Sequence, residues 1–158
     1  MPAESKATRS TLVVRPFRPE DREAVVQILQ QSPRAADWST QSLAALGTNA
    51  GERTLVSEAR GGVTGFLVGR QGAGEAEVLN LAVRLDQRRK GVATALLQAF
   101  LDAIASNRIR RVFLEVRASN APAIALYERH RFSKTGRRRN YYRDPIEDAV
   151  IMERTLGV

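Results

Sequence analysis

Val83-Arg-Leu-Asp-Gln-Arg-Arg-Lys-Gly-Val-Ala93 joins a strand-like run to a helix-like one through a basic turn, and the rest of the fold follows outward from it. Upstream, Glu77-Val-Leu-Asn-Leu-Ala-Val83 reads as a strand. Downstream of Gly91, Thr94, Gln98, Asp102 and Ser106 fall every four residues with nearly everything between them apolar, which is a largely buried helix with one narrow wet stripe. The first free N–H groups of such a helix point outward and its dipole is positive there, so the turn suits a pyrophosphate. Gly91 and Ala93 have too little side chain to block close approach, and Arg88, Arg89 and Lys90 add charge. The spacing is not that of the mononucleotide P-loop, and no Gly-x-Gly-x-x-Gly follows any strand. Taken alone, Arg-x-x-Gly-x-Ala is equally a basic turn ahead of a core helix.

Arg111-Val-Phe-Leu-Glu-Val116 is the next strand, and the strand-helix-strand crossover makes it parallel to the one ending at Val83. On the N-terminal side, Thr54 to Ala59 and Val63 to Val68 flank Gly61-Gly62, a hairpin turn, and Gly72-Ala-Gly74 closes another. Three strands ending at Val83 therefore pair antiparallel. Residues 1–10 are polar and small and are expected to fray, leaving 11–158 as one domain. Leu12 to Phe17 is a short strand, and Arg18-Pro19-Glu20-Asp21 opens a helix carrying Val25, Ile28 and Leu29 up to Gln31. Pro33 stops it, and Ser39 caps a second helix carrying Leu43 and Leu46 before Gly47. A further helix runs from about Asn120 to Arg129. Phe132-Ser-Lys-Thr135 and Ala149-Val-Ile-Met152 are the last two strands, joined by an arginine- and tyrosine-rich loop. The class is α+β with a mixed sheet.

Composition narrows the chemistry. The 158 residues, 43% apolar, make one packed core. Zero cysteines remove disulfides, thiolate-bound zinc and thiol nucleophiles, and one histidine leaves little for a metal site or a Ser-His-Asp triad. The first residues carry no apolar core of signal-peptide length and no stretch approaches the roughly 18 apolar residues of a membrane span, so a cytoplasmic protein is expected. Residues 1 to 83 hold 9 Lys+Arg against 9 Asp+Glu, and residues 84 to 158 hold 16 against 8, so the whole +8 excess lies in the second half. That half is either meant for an anionic partner, a phosphorylated ligand or a nucleic acid, or is simply a solvated surface.

Several motifs in order point to one family. Arg88-x-x-Gly91-x-Ala93 after Leu79-Asn-Leu-Ala-Val83 resembles the Gln/Arg-x-x-Gly-x-Gly/Ala motif of the GNAT superfamily of acetyl-CoA-dependent N-acetyltransferases. Leu114-Glu-Val-Arg-Ala-Ser-Asn-Ala-Pro-Ala-Ile-Ala-Leu-Tyr127, Arg138-Arg-Asn-Tyr-Tyr142 and Glu147-Asp-Ala-Val-Ile-Met152 closely resemble the bacterial ribosomal-protein alanine N-acetyltransferases. The resemblance runs from about Val78 to Met152; before it only the strand-helix opening and Trp38-Ser39 are similar. It implies one domain with a mixed, mostly antiparallel central sheet of about six or seven strands, splayed between two parallel central strands, with about four helices on its faces. It further implies acetyl-CoA as co-substrate, with no metal, in the cleft where the strands ending at Val83 and Val116 part. The pantetheine arm would meet the backbone of Leu81, Ala82 and Val83. The pyrophosphate would meet the turn of Arg88, Arg89, Lys90, Gly91, Val92, Ala93 and Thr94, and Asn120 would reach the cofactor from the next helix start.

Amide formation needs a neutral amine and an acid for the leaving thiolate. Glu115, within Val112-Phe-Leu-Glu-Val116, is the candidate general base, partial burial tuning it for proton transfer; it could also be an outward strand carboxylate or a partner for Arg117. The resemblance makes Tyr127 the general acid, where a tyrosine on an amphipathic helix would otherwise be core with a wet tip. Asn140, Tyr141 and Tyr142 would form one wall of a peptide groove and Trp38 the other, though Trp38 is equally plausible as core. Arg131 stands where the family has glycine before Phe132. A left-handed residue is expected there, so arginine costs of order 1 kcal/mol or a different turn forms.

The acceptor implied is a protein N-terminus, with the alanine of a small-subunit ribosomal protein first. Other protein N-termini or small amines on the same scaffold come second. Ribosome or RNA association through the basic half, up to a non-catalytic nucleic-acid-binding module, is the reading from another class.

Overall fold

The computed structural model describes residues 11–35 and 38–157, so the fraying expected of residues 1–10 lies outside the described residues. Seven strands are present: β1 (Val13–Pro16), β2 (Glu52–Ala59), β3 (Gly62–Gly72), β4 (Glu75–Val83), β5 (Arg111–Arg117), β6 (Ser133–Tyr142) and β7 (Glu147–Thr155). They form one sheet in the order β1-β2-β3-β4-β5-β7-β6, antiparallel everywhere except between β4 and β5. Four α-helices accompany it: α1 (Arg22–Gln30), α2 (Thr40–Ala44), α3 (Val92–Ala105) and α4 (Ala121–Arg129). The architecture is the splayed mixed sheet that the family resemblance implied. Among the described residues no helix is long and apolar enough to cross a membrane.

The sheet is covered on both faces. α3 and α4 share one apolar cluster, in which Leu96, Leu97, Phe100, Ile104, Leu126 and Tyr127 meet Leu67, Val78, Val112 and Leu114. Thr94, Gln98, Asp102 and Ser106 form the exposed stripe of α3, as their four-residue spacing predicts. On the other face Val25 and Ile28 of α1, with Leu46, pack on Val56, Phe66, Val68 and Ala82. Phe66 and Phe100 are both 0% exposed, and burial of each contributes about 3 kcal/mol. Phe100 sits so near β3 that a Cβ on Gly69 would lie 2.3 Å from its ring, so only glycine lets α3 approach there.

One irregularity shapes the centre. Val68 pairs with Asn80 but Gly69 with Val78, which leaves Leu79 as the extra residue of a bulge in β4. The extra residue reverses which side chains face which way. Before it Ala76 and Val78 belong to the α3/α4 core; after it Leu81 and Val83 pack on that core, and Ala82 belongs to the opposite one. At the same point β4 leaves β5, their parallel pairing running from Glu75 with Arg111 only as far as Val78 with Leu114.

One detail differs from the sequence reading. The segment expected as an arginine- and tyrosine-rich loop is mostly strand: β6 extends to Tyr142 and only residues 143–146 turn. It is an edge strand with almost every residue exposed, so it buries nothing and shows no hydrophobic alternation. Arg131 does adopt the left-handed conformation (φ 66°). Its N–H donates to the Glu128 carbonyl and that of Phe132 to the Tyr127 carbonyl, both at 3.0 Å, which is a Schellman ending for α4. Phe132 then packs edge-on against Tyr127, ring centroids 5.7 Å apart.

Candidate active site

Past Val78 and Leu114 the facing edges of β4 and β5 have no strand between them. The outer edge of β4 stays paired with β3 as far as Val83, and that of β5 with β7 as far as Arg117. The edge of β4 that carries Leu81, Ala82 and Val83, beyond its ladder with β5, therefore faces the opening. At the end of β4 the chain makes a short 3-10 turn over Leu85–Gln87, and Gly91, left-handed at φ 81°, starts α3 with no side chain capping it. The amides of the first turn of α3, from Val92 to Thr94, follow directly on that turn, at the positive end of the helix dipole.

All three basic residues in the turn are exposed. The Arg88 guanidinium is turned back onto the protein, donating to the Val83 carbonyl at 3.2 Å, the Gln31 carbonyl at 3.1 Å and the Ser32 hydroxyl at 3.3 Å. It braces the turn against the end of α1. Across the opening, Asn120 caps α4, its Oδ1 accepting from the Ala123 N–H at 3.3 Å. A helix N-terminus that no side chain caps, beside exposed basic residues, fits an anionic ligand.

On the α1/α2 side a groove of about 560 Å³ opens beside the split, and Trp38, Glu52, Glu77, Glu115, Tyr141 and Tyr142 line it. Glu115 comes from the first residue of β5 beyond the parallel ladder, on the strand face turned away from Leu114 and Val116. Its side chain is 15% exposed, and the Arg138 Nε forms an ion pair with its Oε1 at 2.6 Å. The neighbouring Glu115 carboxylate, as an acceptor for its hydroxyl, raises the Tyr141 phenol above its ordinary range. Burial, with the Glu115 carboxylate nearby, pushes the Tyr142 phenol up to about 12. The two tyrosine rings meet edge-on, 5.1 Å between centroids. Arg117, read as one candidate partner of Glu115, is committed elsewhere. Only 3% exposed, it donates to the Pro145 and Arg143 carbonyls and to Glu147, and its guanidinium lies 4.4 Å from the centre of the Tyr142 ring. It therefore ties down the turn that carries this wall of the groove.

Trp38 serves both expected ends, lining the groove and packing against the α1 core, while Ser39 caps α2 by accepting from the Ser42 N–H at 3.0 Å. Asn140 is exposed; its N–H donates to Asp148 and it stands apart from Tyr141 and Tyr142 in the lining. Tyr127 is 6% exposed and burial raises its phenol, the Tyr142 hydroxyl being near enough to add to the effect. The sequence reading did not single out Arg138, Glu52 or Glu77. Arg138 is one of three consecutive arginines, and only the register of β6 says which of them crosses to β5.

A sheet parted between two parallel strands, a helix N-terminus after the first of them and a carboxylate beside the gap define the class, and the chain belongs to it: the acetyltransferase (GNAT) family matches residues 22–132. It is an N-acetyltransferase, and acetyl-CoA is the acetyl donor of that family. The chain is 39% identical over 128 residues to the [ribosomal protein bS18]-alanine N-acetyltransferase of Escherichia coli K12, covering 78% of this chain and 84% of that one. It is similar to the crystal structure of the ribosomal-protein-S18-alanine N-acetyltransferase from Escherichia coli, with TM-score 0.83 and 32% identity over 94% of this chain and 96% of that one. A second similar structure is Ard1 from Thermoplasma volcanium, with TM-score 0.81 and 33% identity over 93% and 99% of the two chains.

Proposed function

We propose that the protein acetylates the N-terminal α-amino group of a protein, the alanine N-terminus of a small-subunit ribosomal protein being the acceptor, in the cytoplasm. The observation that carries this reading is the position of Glu115, at the point where β4 and β5 part and in the groove bounded by Trp38, Tyr141 and Tyr142. The relatives named for that acceptor support the choice of substrate.

Acetyl-CoA, when bound, supplies an activated acetyl thioester. The backbone of Leu81, Ala82 and Val83 would hold its pantetheine arm, the residues from Arg88 to Thr94 its phosphates, and Asn120 would contact it from the start of α4. An α-amino group has a pKa of roughly 7.7–8.0, so near neutrality one proton must leave before the nitrogen attacks. Glu115 accepts that proton, directly or through water. As the new C–N bond forms and the C–S bond breaks, the Tyr127 hydroxyl donates its proton to the departing sulfur; its raised pKa keeps it protonated until then. The aromatic wall and Trp38 hold the extended peptide so that its first nitrogen reaches Glu115.

An intact-mass acetylation assay on peptides beginning Ala, Ser, Met and Gly, with a lysine-only control, tests the reading. One acetyl group on the α-amine of the Ala peptide is expected. Transfer to lysine alone would defeat it.

A further inference from the structure

Edge strand β6 carries Arg137, Arg138 and Arg139 in succession, and they part according to the pleat. Arg137 pairs with Asp148 at 2.7 Å, on its own hairpin. Arg138 instead reaches across β7 to Glu115 on β5, Nε to Oε1 at 2.6 Å. The sheet leaves it a lane. In register with Glu115 stand Ile151 and then Gly136, and Arg138 lies opposite Ala149, so the small residues Gly136 and Ala149 flank its diagonal path past Ile151. A Cβ at Gly136 would already touch Ile151 at 3.3 Å. Tyr141 closes the arrangement: it lines the same groove as Glu115, and the Arg138 guanidinium lies 5.7 Å from the centre of its ring. Glu115 thus meets two residues of one edge strand, and the turn that follows that strand is anchored by the buried Arg117.

We propose that Arg138 is a positioning residue for this enzyme: with Tyr141 it fixes the Glu115 carboxylate, and it acts on turnover only through that carboxylate. The proposal rests on Glu115 being the general base. A freely rotating carboxylate at the end of a strand would spend most of its time off the line of the attacking amine, and small misplacements of a proton acceptor lower rates steeply. Arg138 itself is 56% exposed at its side chain, so its pairing adds little to folding stability and its role shows in kinetics.

The test compares full-length wild type, Arg138→Ala, Arg138→Lys, Glu115→Gln and the double Arg138→Ala, Glu115→Gln variant on an Ala-first peptide at saturating acetyl-CoA. Rates are read by intact mass in single turnover. With Glu115 present, Arg138→Ala is expected to lower the rate about tenfold while the KM for acetyl-CoA and the unfolding midpoint stay put, and Arg138→Lys to recover part of the loss. In the Glu115→Gln background the same change should alter the rate less than about twofold, because the group that Arg138 positions is gone. Equal losses in both backgrounds, no loss in either, or a loss confined to the peptide KM would overturn the proposal. Wild-type turnover by Glu115→Gln alone is a separate result: it would remove Glu115 as the base, whatever Arg138 does.

Discussion

Arg131→Gly should make the protein more stable. The Schellman ending of α4 requires a left-handed residue at this position, and Arg131 occupies it at φ 66° with its side chain exposed. For a residue with a Cβ that conformation costs about 1–2 kcal/mol, whereas glycine adopts it freely. Against this, glycine gives the unfolded chain extra freedom worth about 0.5–1 kcal/mol. The difference favours glycine by about 0.5–1 kcal/mol, which for a domain of this size raises Tm by about 1–4 °C. Arg131→Ala is the control. It removes the same guanidinium but keeps the strain, so its Tm should stay at or slightly below that of wild type. Both variants would be followed by reversible thermal and urea unfolding with acetyltransferase turnover measured alongside, which should not change. If Arg131→Gly proved less stable than wild type, or no better than Arg131→Ala, the backbone of Arg131 would not be the seat of the effect.

Tyr127→Phe should lower kcat by about 10²–10⁴ with acetyl-CoA affinity nearly intact, measured by steady-state kinetics and direct titration; unchanged turnover at saturation would take Tyr127 out of the reaction. Asp21, 6% exposed, accepts two hydrogen bonds from Arg15 at 2.8 and 2.9 Å and one from the Arg18 N–H at 2.7 Å. Chiefly through Arg15, its pKa lies below the usual 3.8, so its contribution to stability is present above that value and is lost as pH falls through the folded one. Asp21→Asn should therefore lose about 2–3 kcal/mol in urea unfolding at pH 7, and much less near pH 3; a gap that stayed constant would count against the ion pair.

The core elements were legible because their burial is one-sided and periodic. α3 announces itself by its four-residue wet stripe, and the β2 to β4 meander by its paired glycine turns. The catalytic candidates were legible through motif order: Glu115 and Tyr127 stand in runs whose likeness to a family needs no coordinates. β6 was harder to read, since a strand exposed on both faces carries no alternation and takes its place in the sheet from its ladder to β7. Arg88 shows the same limit from another side. Its charge was legible, but the carbonyls of Val83 and Gln31 that take it up come from β4 and from the end of α1.

Local sequence by itself determined the strand-turn-helix at Val83 to Ala93, because it depends on neighbours a few residues away, and the order of motifs from Val78 to Met152 determined the class of chemistry. Tertiary structure decided where the sheet opens. The Leu79 bulge is defined only against β3, and the end of the parallel ladder only against β5. It also decided which arginine meets Glu115, because the partners of a side chain two strands away are set by register. A one-residue slip of β6 would have turned Arg138 to the other face.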